Sequence, residues 1–137
     1  MPSRYFVIIL LVGAAACLTA GAQNAKPDWK KVPVIDGGAG RCSVDFNVTD
    51  TAGKPVYDAR INVHIAYGFM GVRKLDLQLG TNADGKARFQ GLPEKVRQPL
   101  TFVASEDDLE GTATYDPAVE CSAKHDIVLE KKKAESQ

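Results

Sequence analysis

From residue 42 onward, apolar and polar side chains alternate along the chain with a period of two. In CSVDFNVT, residues 42–49, every second residue from Cys42 is apolar, and the residues between them are polar. This pattern is typical of a β-strand with one buried face and one solvated face. Comparable short segments follow near residues 59, 75, 87, 100, 112 and 121. The chain therefore predicts about seven short strands.

Turn residues separate these strands, and no apolar pattern of helical period extends over ten residues. The separating segments include DTAGK at 50–54, GTNADGK at 80–86 and SEDDLEG at 105–111. Short strands spaced by Gly, Asn and Asp are typical of an all-β fold. We therefore predict an antiparallel two-sheet sandwich of about seven strands, comparable to an Ig-like domain.

The N-terminal segment has the composition of a cleaved signal peptide. Arg4 precedes an apolar run over residues 5–16, and Ala20-Gly21-Ala22 supplies small residues at a cleavage position. The run is shorter than the roughly 20 apolar residues that a membrane-spanning helix needs. The predicted organisation is a signal peptide at 1–22, a leader or linker at 23–40, a sandwich domain at 41–130 and a polar tail at 131–137.

Cys17 leaves open an alternative in which the chain is lipid-anchored. A lipoprotein signal would place a lipidated cysteine there, but such signals usually carry Leu, Val or Ile three residues earlier, where this chain has Ala14. Membrane attachment is expected only if Cys17 is lipidated. Otherwise the expected location is periplasmic or secreted.

Cleavage would leave Cys42 and Cys121 as the cysteines of the mature chain. A pair of cysteines in an exported domain indicates a disulfide, and no Cys-x-x-Cys or histidine at ligand spacing favours a metal site instead. Both cysteines share parity with the apolar residues of their strands. The bridge would tie the first strand of the domain to the last.

The charge of the chain excludes some partners. The mature chain would carry 16 basic against 17 acidic residues after loss of Arg4, so its net charge is close to zero. Without a strong overall field, no nucleic-acid partner is expected, and no charge-driven binding to an anionic membrane. The basic KPDWKK and EKKK segments and the acidic SEDDLE segment are interpreted as solvated tails or loops.

Residues 42–105 resemble the carboxypeptidase regulatory-like domain, a transthyretin-like (prealbumin-like) β-sandwich. The resemblance is carried by turn and core residues: Val44, Phe46, Val48, Asp50, Gly53, Pro55-Val56, Ala59, Ile61, Val63, Thr81, Gly85-Lys86-Ala87-Arg88-Phe89 and Gly91-Leu92-Pro93. The chain departs from the family where EKVRQPLTF replaces the usual Gly-x-Tyr strand start, and in the cysteine at 121. The resemblance implies a non-catalytic accessory module, often exported and sometimes grouped with carbohydrate-binding sandwiches.

Candidate metal ligands are few. Asn82 and Asp84 precede Gly85 with a spacing that loosely resembles a calcium loop, but no closing Glu follows and Lys86 would repel a cation. Asp-Gly in this context is typical of a hairpin turn. A copper site formed by His64, Met70 and His125 is chemically reasonable but needs long-range folding. No metal and no cofactor are therefore predicted.

The sequence predicts no catalytic residue. The transthyretin relatives that hydrolyse a urate derivative end in Tyr-Arg-Gly-Ser, whereas this chain ends KKKAESQ, and no Gly-x-Ser-x-Gly elbow occurs. Asp107 and Asp108 could act as acid and base, but they lie in an acidic loop where ordinary solvated carboxylates are expected. The chain is therefore not expected to be an enzyme.

Aromatic residues supply the candidate binding site. Tyr67, Phe69 and Met70 lie in AYGFMG between two glycines, and exposed rings of this kind stack on sugars or anchor protein interfaces. An alternative is that Tyr67 and Phe69 cap the end of the core. The predicted function is a non-catalytic accessory or binding module at the cell envelope, whose partner is an envelope protein or a glycan. Two alternatives stay open: a structural or protein-binding module without a small ligand, and, less favoured, a periplasmic metal carrier.

Overall fold

The computed structural model of the protein describes residues 30–132, which form eight β-strands and one short 3₁₀ turn. Alternating burial along each strand follows the period-two pattern of the sequence. The strands are β1 (Val34–Asp36), β2 (Cys42–Asp50), β3 (Arg60–Tyr67), β4 (Arg73–Gly80), β5 (Lys86–Leu92), β6 (Leu100–Glu106), β7 (Leu109–Tyr115) and β8 (Ser122–Lys131). The 3₁₀ turn (Phe69–Gly71) connects β3 to β4. The all-β prediction is confirmed.

The strands form one mixed sheet, in the order β1-β5-β2-β8-β7-β6-β3-β4. Strands β1 and β5 pair in parallel, and so do β2 and β8, whereas the other neighbours are antiparallel. Strand β8 pairs with β2 along most of its length and with β7 at Glu130 and Lys131. It therefore joins the strands β1, β5 and β2 to the strands β7, β6, β3 and β4. The finer prediction of two antiparallel sheets with seven strands is therefore wrong.

The eighth strand lies in the segment that the sequence predicts to be a leader or linker. Strand β1 has only three residues, too few for a period-two pattern to be visible, and it is flanked by Pro33 and Gly37. Its ladder to β5 begins beside a hydrogen bond from the Arg88 N–H to the Pro33 carbonyl at 3.0 Å. Long-range pairing, which composition does not encode, makes this segment a strand.

The sheet almost closes where its two end strands, β1 and β4, approach each other. A Cβ atom on Gly37, directly after β1, would lie 2.9 Å from Leu75 Cδ2 and 3.3 Å from Leu77 Cδ1. Glycine at this position therefore lets the backbone approach the apolar side chains of β4. The exposed edge of β4 carries Arg73, Lys74 and Asp76, and charged residues of this kind oppose edge-to-edge pairing.

The curled sheet encloses one hydrophobic core. Its centre is an aromatic cluster in which the Phe46 ring lies 5.7 Å from that of Phe89 and 4.6 Å from that of Phe102. The Tyr115 ring lies 6.4 Å from Phe102. Around the cluster pack the apolar residues that alternate inward, including Val44, Val48, Ile61, Ile65, Leu92, Ile127 and Leu129. The inward parity predicted for β2, β3, β6 and most of β8 is thus confirmed.

Cys42 and Cys121 form the expected disulfide, with Cα atoms 4.6 Å apart and a sequence separation of 79. The bridge joins the start of β2 to the residue before β8, where Ser43 and Ser122 are register partners. A structural disulfide is typical of an oxidising compartment, as expected for a secreted or periplasmic protein.

The signal peptide, Cys17 and most of the tail lie outside the described residues, and they stay predictions. Over residues 30–132, no helix is long and apolar enough to cross a membrane.

Candidate functional site

The TNADGK segment is a turn, as the sequence predicts, but it is not the predicted hairpin, because β4 pairs with β3 and β5 pairs with β1 and β2. The buried Asn82 side chain organises it: its Oδ1 accepts the Asp84 N–H at 3.1 Å and the Lys86 N–H at 2.8 Å, and its Nδ2 donates to the Lys30 carbonyl at 2.9 Å. Gly85 has φ +73°. The side-chain oxygen of Asn82 is therefore used to hold the turn.

The two histidines, which are distant in sequence, have different environments in the fold. His125 in β8 is half-buried, with its ring 6.4 Å from Phe46 and 6.0 Å from Tyr115. His64 in β3 is exposed on the outer face. Met70 lines the same groove as His64, whereas His125 lines a different one. In the described part of the chain, no three His, Cys, Asp or Glu side chains converge on a common metal position.

His64 forms the most chemically distinctive pair of the outer surface, with Asp76. The two residues are register partners on β3 and β4, and His64 Nδ1 lies 2.5 Å from Asp76 Oδ1. The neighbouring residues Val63 and Leu77 are buried, so they determine which face of each strand points inward. Because β-strand side chains alternate, both polar groups are held on one face by the packing beneath them.

A groove of about 340 Å³ runs from His64 across to the connector between β5 and β6. We call it the His64 groove. Its walls are His64, Ala66, Met70, Gly71, Arg97, Gln98, Pro99 and Leu100. Arg97 Nη2 lies 3.6 Å from Met70 Sδ, which places the guanidinium across the groove from β3. A second depression on the other side of His64 is lined by Asn62, Asp76 and Gln78.

The three residues predicted as a weak binding site do not share one environment. Tyr67 is half-buried, packs against the core and forms a bridge with Val96. Phe69 and Met70 are 87% and 63% exposed. The alternative that both aromatic rings cap the core therefore holds for Tyr67 alone, and Met70 is the member of the three that lines the His64 groove.

Asp107 and Asp108 form the tight turn between β6 and β7. Asp107 has φ +50°, and the Asp108 carbonyl accepts the Lys132 N–H at 2.8 Å. The carboxyl that is perturbed here belongs to Glu106, since burial first, and then the charges of Asp107 and Asp58, raise its pKa above the usual value. No basic or nucleophilic partner of these carboxyls occurs among the contacts of the described residues. The segment is a tight turn between two adjacent antiparallel strands.

A second polar surface lies on the outer face of β5, β2 and β8. Arg88 Nη1 donates to both carboxylate oxygens of Asp45 at 3.0 and 3.1 Å, and its Nη2 lies 3.3 Å from Ser43 Oγ. Lys124 is the register partner of Asp45 on the other side. Two shallow grooves of about 250 and 420 Å³ share Asp45 and Lys124. In the larger groove the guanidinium of Arg88 is already neutralised by its ion pair with Asp45. The smaller groove is lined by two lysines and two aspartates, so neither offers the unbalanced charge that Arg97 gives the His64 groove.

Asp76 and Arg97 are the site residues that the sequence does not single out. Asp76 has outward parity on its predicted strand, as His64 does on the preceding one, and hairpin pairing of the two strands around the YGFMG loop could have brought them together. No such signal exists for Arg97, because it lies in an irregular connector that only the folded chain brings to Met70.

No protein-family model matches the chain, and no curated protein matches it. Solved structures to which the chain is similar include catechol 1,2-dioxygenase from Pseudomonas arvilla C-1 (14% identity, TM-score 0.52, 77% of this chain), 3-chlorocatechol 1,2-dioxygenase from Rhodococcus opacus 1CP (15%, 0.46, 74%) and catechol 1,2-dioxygenase from Acinetobacter sp. ADP1 inhibited by bound mercury (13%, 0.48, 74%). The chain spans 64%, 60% and 59% of the Rhodococcus, Pseudomonas and Acinetobacter structures, respectively.

The likeness to the Pseudomonas enzyme shows the fold alone, yet it corrects one expectation. The prediction of a non-catalytic envelope module, whether glycan-binding, partner-binding or metal-carrying, rested on a β-fold interpreted as an accessory domain. That prediction is wrong, because a similar fold occurs in an enzyme. The resemblance of residues 42–105 to the carboxypeptidase regulatory-like family stays a prediction. Function resides in the side chains of a site and not in the fold that carries them.

Proposed function

We propose that this protein is a small hydrolytic enzyme in which His64, oriented by Asp76, activates a water molecule against a carboxylate-bearing substrate held by Arg97. The observation that carries the proposal is the 2.5 Å contact between His64 Nδ1 and Asp76 Oδ1 at the edge of a groove that also contains a guanidinium.

Asp76 gives His64 the form that a general base requires. An ionised carboxylate only accepts hydrogen bonds, so the imidazole nitrogen facing Asp76 is the one that carries a proton. The lone pair of the neutral ring is then on Nε2, which is free to accept a proton. The carboxylate also stabilises the imidazolium that forms during the reaction, as the aspartate of a catalytic triad does.

Arg97 supplies an anchor for an anionic substrate. Its guanidinium is always charged, and its planar fork matches the two oxygens of a carboxylate. In the described structure, its hydrogen-bonding contact is the thioether sulfur of Met70 at 3.6 Å, a weak acceptor. Most of its donors therefore remain available to a ligand. A groove volume of about 340 Å³ suits a small molecule.

The lining of the His64 groove determines what the nucleophile is. It contains no Ser, Thr or Cys side chain among the described residues. Water is therefore the nucleophile that His64 can activate. It adds to the substrate carbonyl while its proton passes to His64 Nε2, and the imidazolium returns that proton to the leaving oxygen as the carbonyl re-forms. Hydrolysis of an ester or a related acyl bond is balanced by this cycle.

The test compares an anionic with a neutral activated ester. The full chain, His64→Gln and Arg97→Gln are assayed with 4-nitrophenyl hydrogen succinate and with 4-nitrophenyl acetate. His64→Gln should lower kcat/KM by about 100-fold or more on both esters, the usual contribution of a general base. Arg97→Gln should raise KM for the succinate ester and leave the acetate ester unaffected.

His125→Gln is the matched control, since it removes the other histidine without touching the His64 groove. Its melting temperature is measured alongside, because its ring contacts the core aromatic residues. Equal rates for His64→Gln and the unaltered chain, or an equal loss in folded His125→Gln, would refute the proposal.

A further inference from the structure

We propose that the end of the molecule beside the β3–β4 connection docks on an anionic lipid bilayer. Two groups of residues define this surface. The apolar tip consists of Phe69, Met70 and Val72, and the basic collar consists of Arg73, Lys74, Lys95 and Arg97. Met70 and Arg97 also line the His64 groove, but the other five residues of the surface lie outside it, so the inference does not depend on hydrolysis there.

The apolar tip is the largest cluster of exposed apolar side chains on the described residues. Phe69 is 87% exposed, Val72 73% and Met70 63%, within four consecutive positions. The 3₁₀ turn that carries them buries none of its residues. Exposed apolar groups of this size clustered together mark an interaction site, whereas scattered ones are ordinary.

The backbone holds the tip away from the core. Gly68, Met70 and Gly71 have φ values of +79°, +59° and +68°. Three left-handed residues in a four-residue stretch are uncommon, and for Met70 this backbone conformation is unfavourable. The sequence therefore uses a costly connection at a place where a short polar hairpin would have joined β3 to β4. A strained loop that presents apolar groups to solvent is typical of a functional surface.

The basic collar surrounds the tip from two sides. Arg73 and Lys74 begin β4, and the Arg73 stem lies about 3.4 Å from the position of a Cβ on Gly68. The connector with Lys95 and Arg97 is brought beside the tip by the Tyr67–Val96 bridge and by the contact of Arg97 with Met70.

The carboxylates near the tip are already engaged. Glu94, within the connector, pairs with Arg41 at 2.6 Å, which balances its charge, whereas Asp76 hydrogen-bonds to His64 and leaves one negative charge near the collar. The four cations of the collar therefore keep an excess of positive charge. The near-zero net charge of the whole chain hides this local asymmetry, which the sequence distributes over two distant segments.

An anionic bilayer is the partner that satisfies both groups at once. Aromatic and aliphatic side chains enter the headgroup region, and Lys and Arg beside them attract anionic lipids. Each basic residue near the surface contributes about fivefold in affinity. An apolar protein pocket would accept the tip without needing the collar, and a second copy of this chain would set two positive collars against each other.

A tryptophan placed at the tip gives a local readout that the N-terminal apolar segment does not affect. The test uses the full chain with Trp29→Phe, combined with Phe69→Trp. The matched control is Trp29→Phe with Val119→Trp, because Val119 is 82% exposed but lies beside Asp116 and Glu120 instead of a basic collar. Both proteins are mixed with vesicles of phosphatidylcholine alone or with phosphatidylglycerol added.

The indole at position 69 should shift its emission to the blue and be quenched by brominated lipid on vesicles that contain phosphatidylglycerol. The indole at position 119 should do neither. Adding Arg73→Gln and Lys74→Gln to the position-69 reporter should weaken its binding roughly 25-fold, from about fivefold per lost charge. Added salt should weaken it too.

Three results on vesicles would overturn the inference. They are an unchanged indole at position 69 on anionic vesicles, an equal response on neutral vesicles, and an equal response at position 119. A blue shift that appears without vesicles and grows with protein concentration would also overturn it, in favour of self-association. Ester hydrolysis measured on the same proteins separates this outcome from failure of the proposed function.

Discussion

Tyr115 donates its hydroxyl hydrogen to the carbonyl oxygen of Cys121 across 2.8 Å. The same carbonyl accepts the Ser43 N–H at 2.8 Å, and the Tyr115 hydroxyl also lies 3.3 Å from the Ser43 carbonyl. Cys121 is bonded in turn to Cys42. One buried phenol thus links the end of β7 to the disulfide-bonded start of β2 and β8. These contacts lie at the edge of the aromatic core.

Replacing Tyr115 with Phe should destabilise the fold by about 1 kcal/mol, the usual net value of one such hydrogen bond. The ring would still fill its place against Phe102. Urea unfolding of the variant beside the unaltered chain measures the loss as a lower midpoint at equal slope. Tyr57→Phe is the control, since that ring is half exposed and has no hydrogen bond among the described residues. An equal loss in both variants would contradict the role assigned to the Tyr115 hydroxyl.

The same phenol makes the fold sensitive to strong alkali. Burial, and then the charges of Glu120 and Asp116, raise the pKa of Tyr115 to about 12, against 10.0 in its ordinary state. The folded state therefore holds the proton more tightly than the unfolded state does. The stability that this proton contributes is fully present below pH 10 and is lost as the pH rises from 10 towards 12. A tyrosinate absorbance titration of the folded protein should show a late step that Tyr115→Phe removes.

The disulfide should contribute more than any single hydrogen bond. Its loop of 79 residues gives about 4 to 5 kcal/mol by the chain-entropy estimate. We expect Cys42→Ala combined with Cys121→Ala to lower the free energy of unfolding by about that amount. Reduction of the unaltered chain should have a similar effect, measured by denaturant unfolding with and without reductant. A loss below about 1 kcal/mol would show that the register of β2 and β8 is maintained without the bridge.

The sequence identifies local features of this fold better than its long-range ones. Strand β2 and the turn at Asn82 were predictable because each depends on neighbours in the chain: side-chain alternation and Asx-turn chemistry. The parallel pairing of β2 with β8 was not, since parallel and antiparallel partners present the same period-two pattern. Strand β1 was not predictable from the sequence, because three residues beside a proline are too few to show a period-two pattern.

The candidate site divides in the same way. The sequence presents His64 and Met70 as isolated candidate ligands, and the register of a β3–β4 hairpin is enough to place Asp76 opposite His64. Arg97 was not recoverable, because its place beside Met70 depends on the Tyr67–Val96 bridge between distant segments. The disulfide was predictable from the compartment and the parity of its cysteines, which needed no knowledge of strand order.

Gly85 and Gly53 provide a matched pair that separates backbone strain from steric contact. Both have positive φ, +73° and +80°. A Cβ on Gly85 would lie 2.3 Å from the Val48 carbonyl oxygen, whereas one on Gly53 would meet nothing within 4 Å. Gly53→Ala should cost about 1 kcal/mol from the left-handed backbone alone. Gly85→Ala should cost roughly 3 kcal/mol, because the clash adds to that strain. Thermal unfolding measures both, and equal losses would show that the Asn82 turn shifts to make room.

Glu106 should make the fold less stable as the pH rises from acid to neutral. Its pKa is raised in the folded state by partial burial and by Asp107 and Asp58, so the folded protein binds the proton more tightly than the unfolded chain. Its contribution is present below the usual value of 4.5 and is lost as the pH rises through the folded pKa.

Glu106→Gln removes that loss, and the variant should gain up to about 0.5 kcal/mol near neutral pH and nothing near pH 4. Glu110→Gln is the control of opposite sign, because it removes an ion pair with Lys132 at 3.9 Å and should destabilise slightly. The melting temperatures of both variants and of the unaltered chain, near pH 4 and pH 7, measure these changes. A gain for Glu106→Gln that is the same at both pH values would mean that it arises from packing at the β6–β7 turn and not from the carboxyl charge.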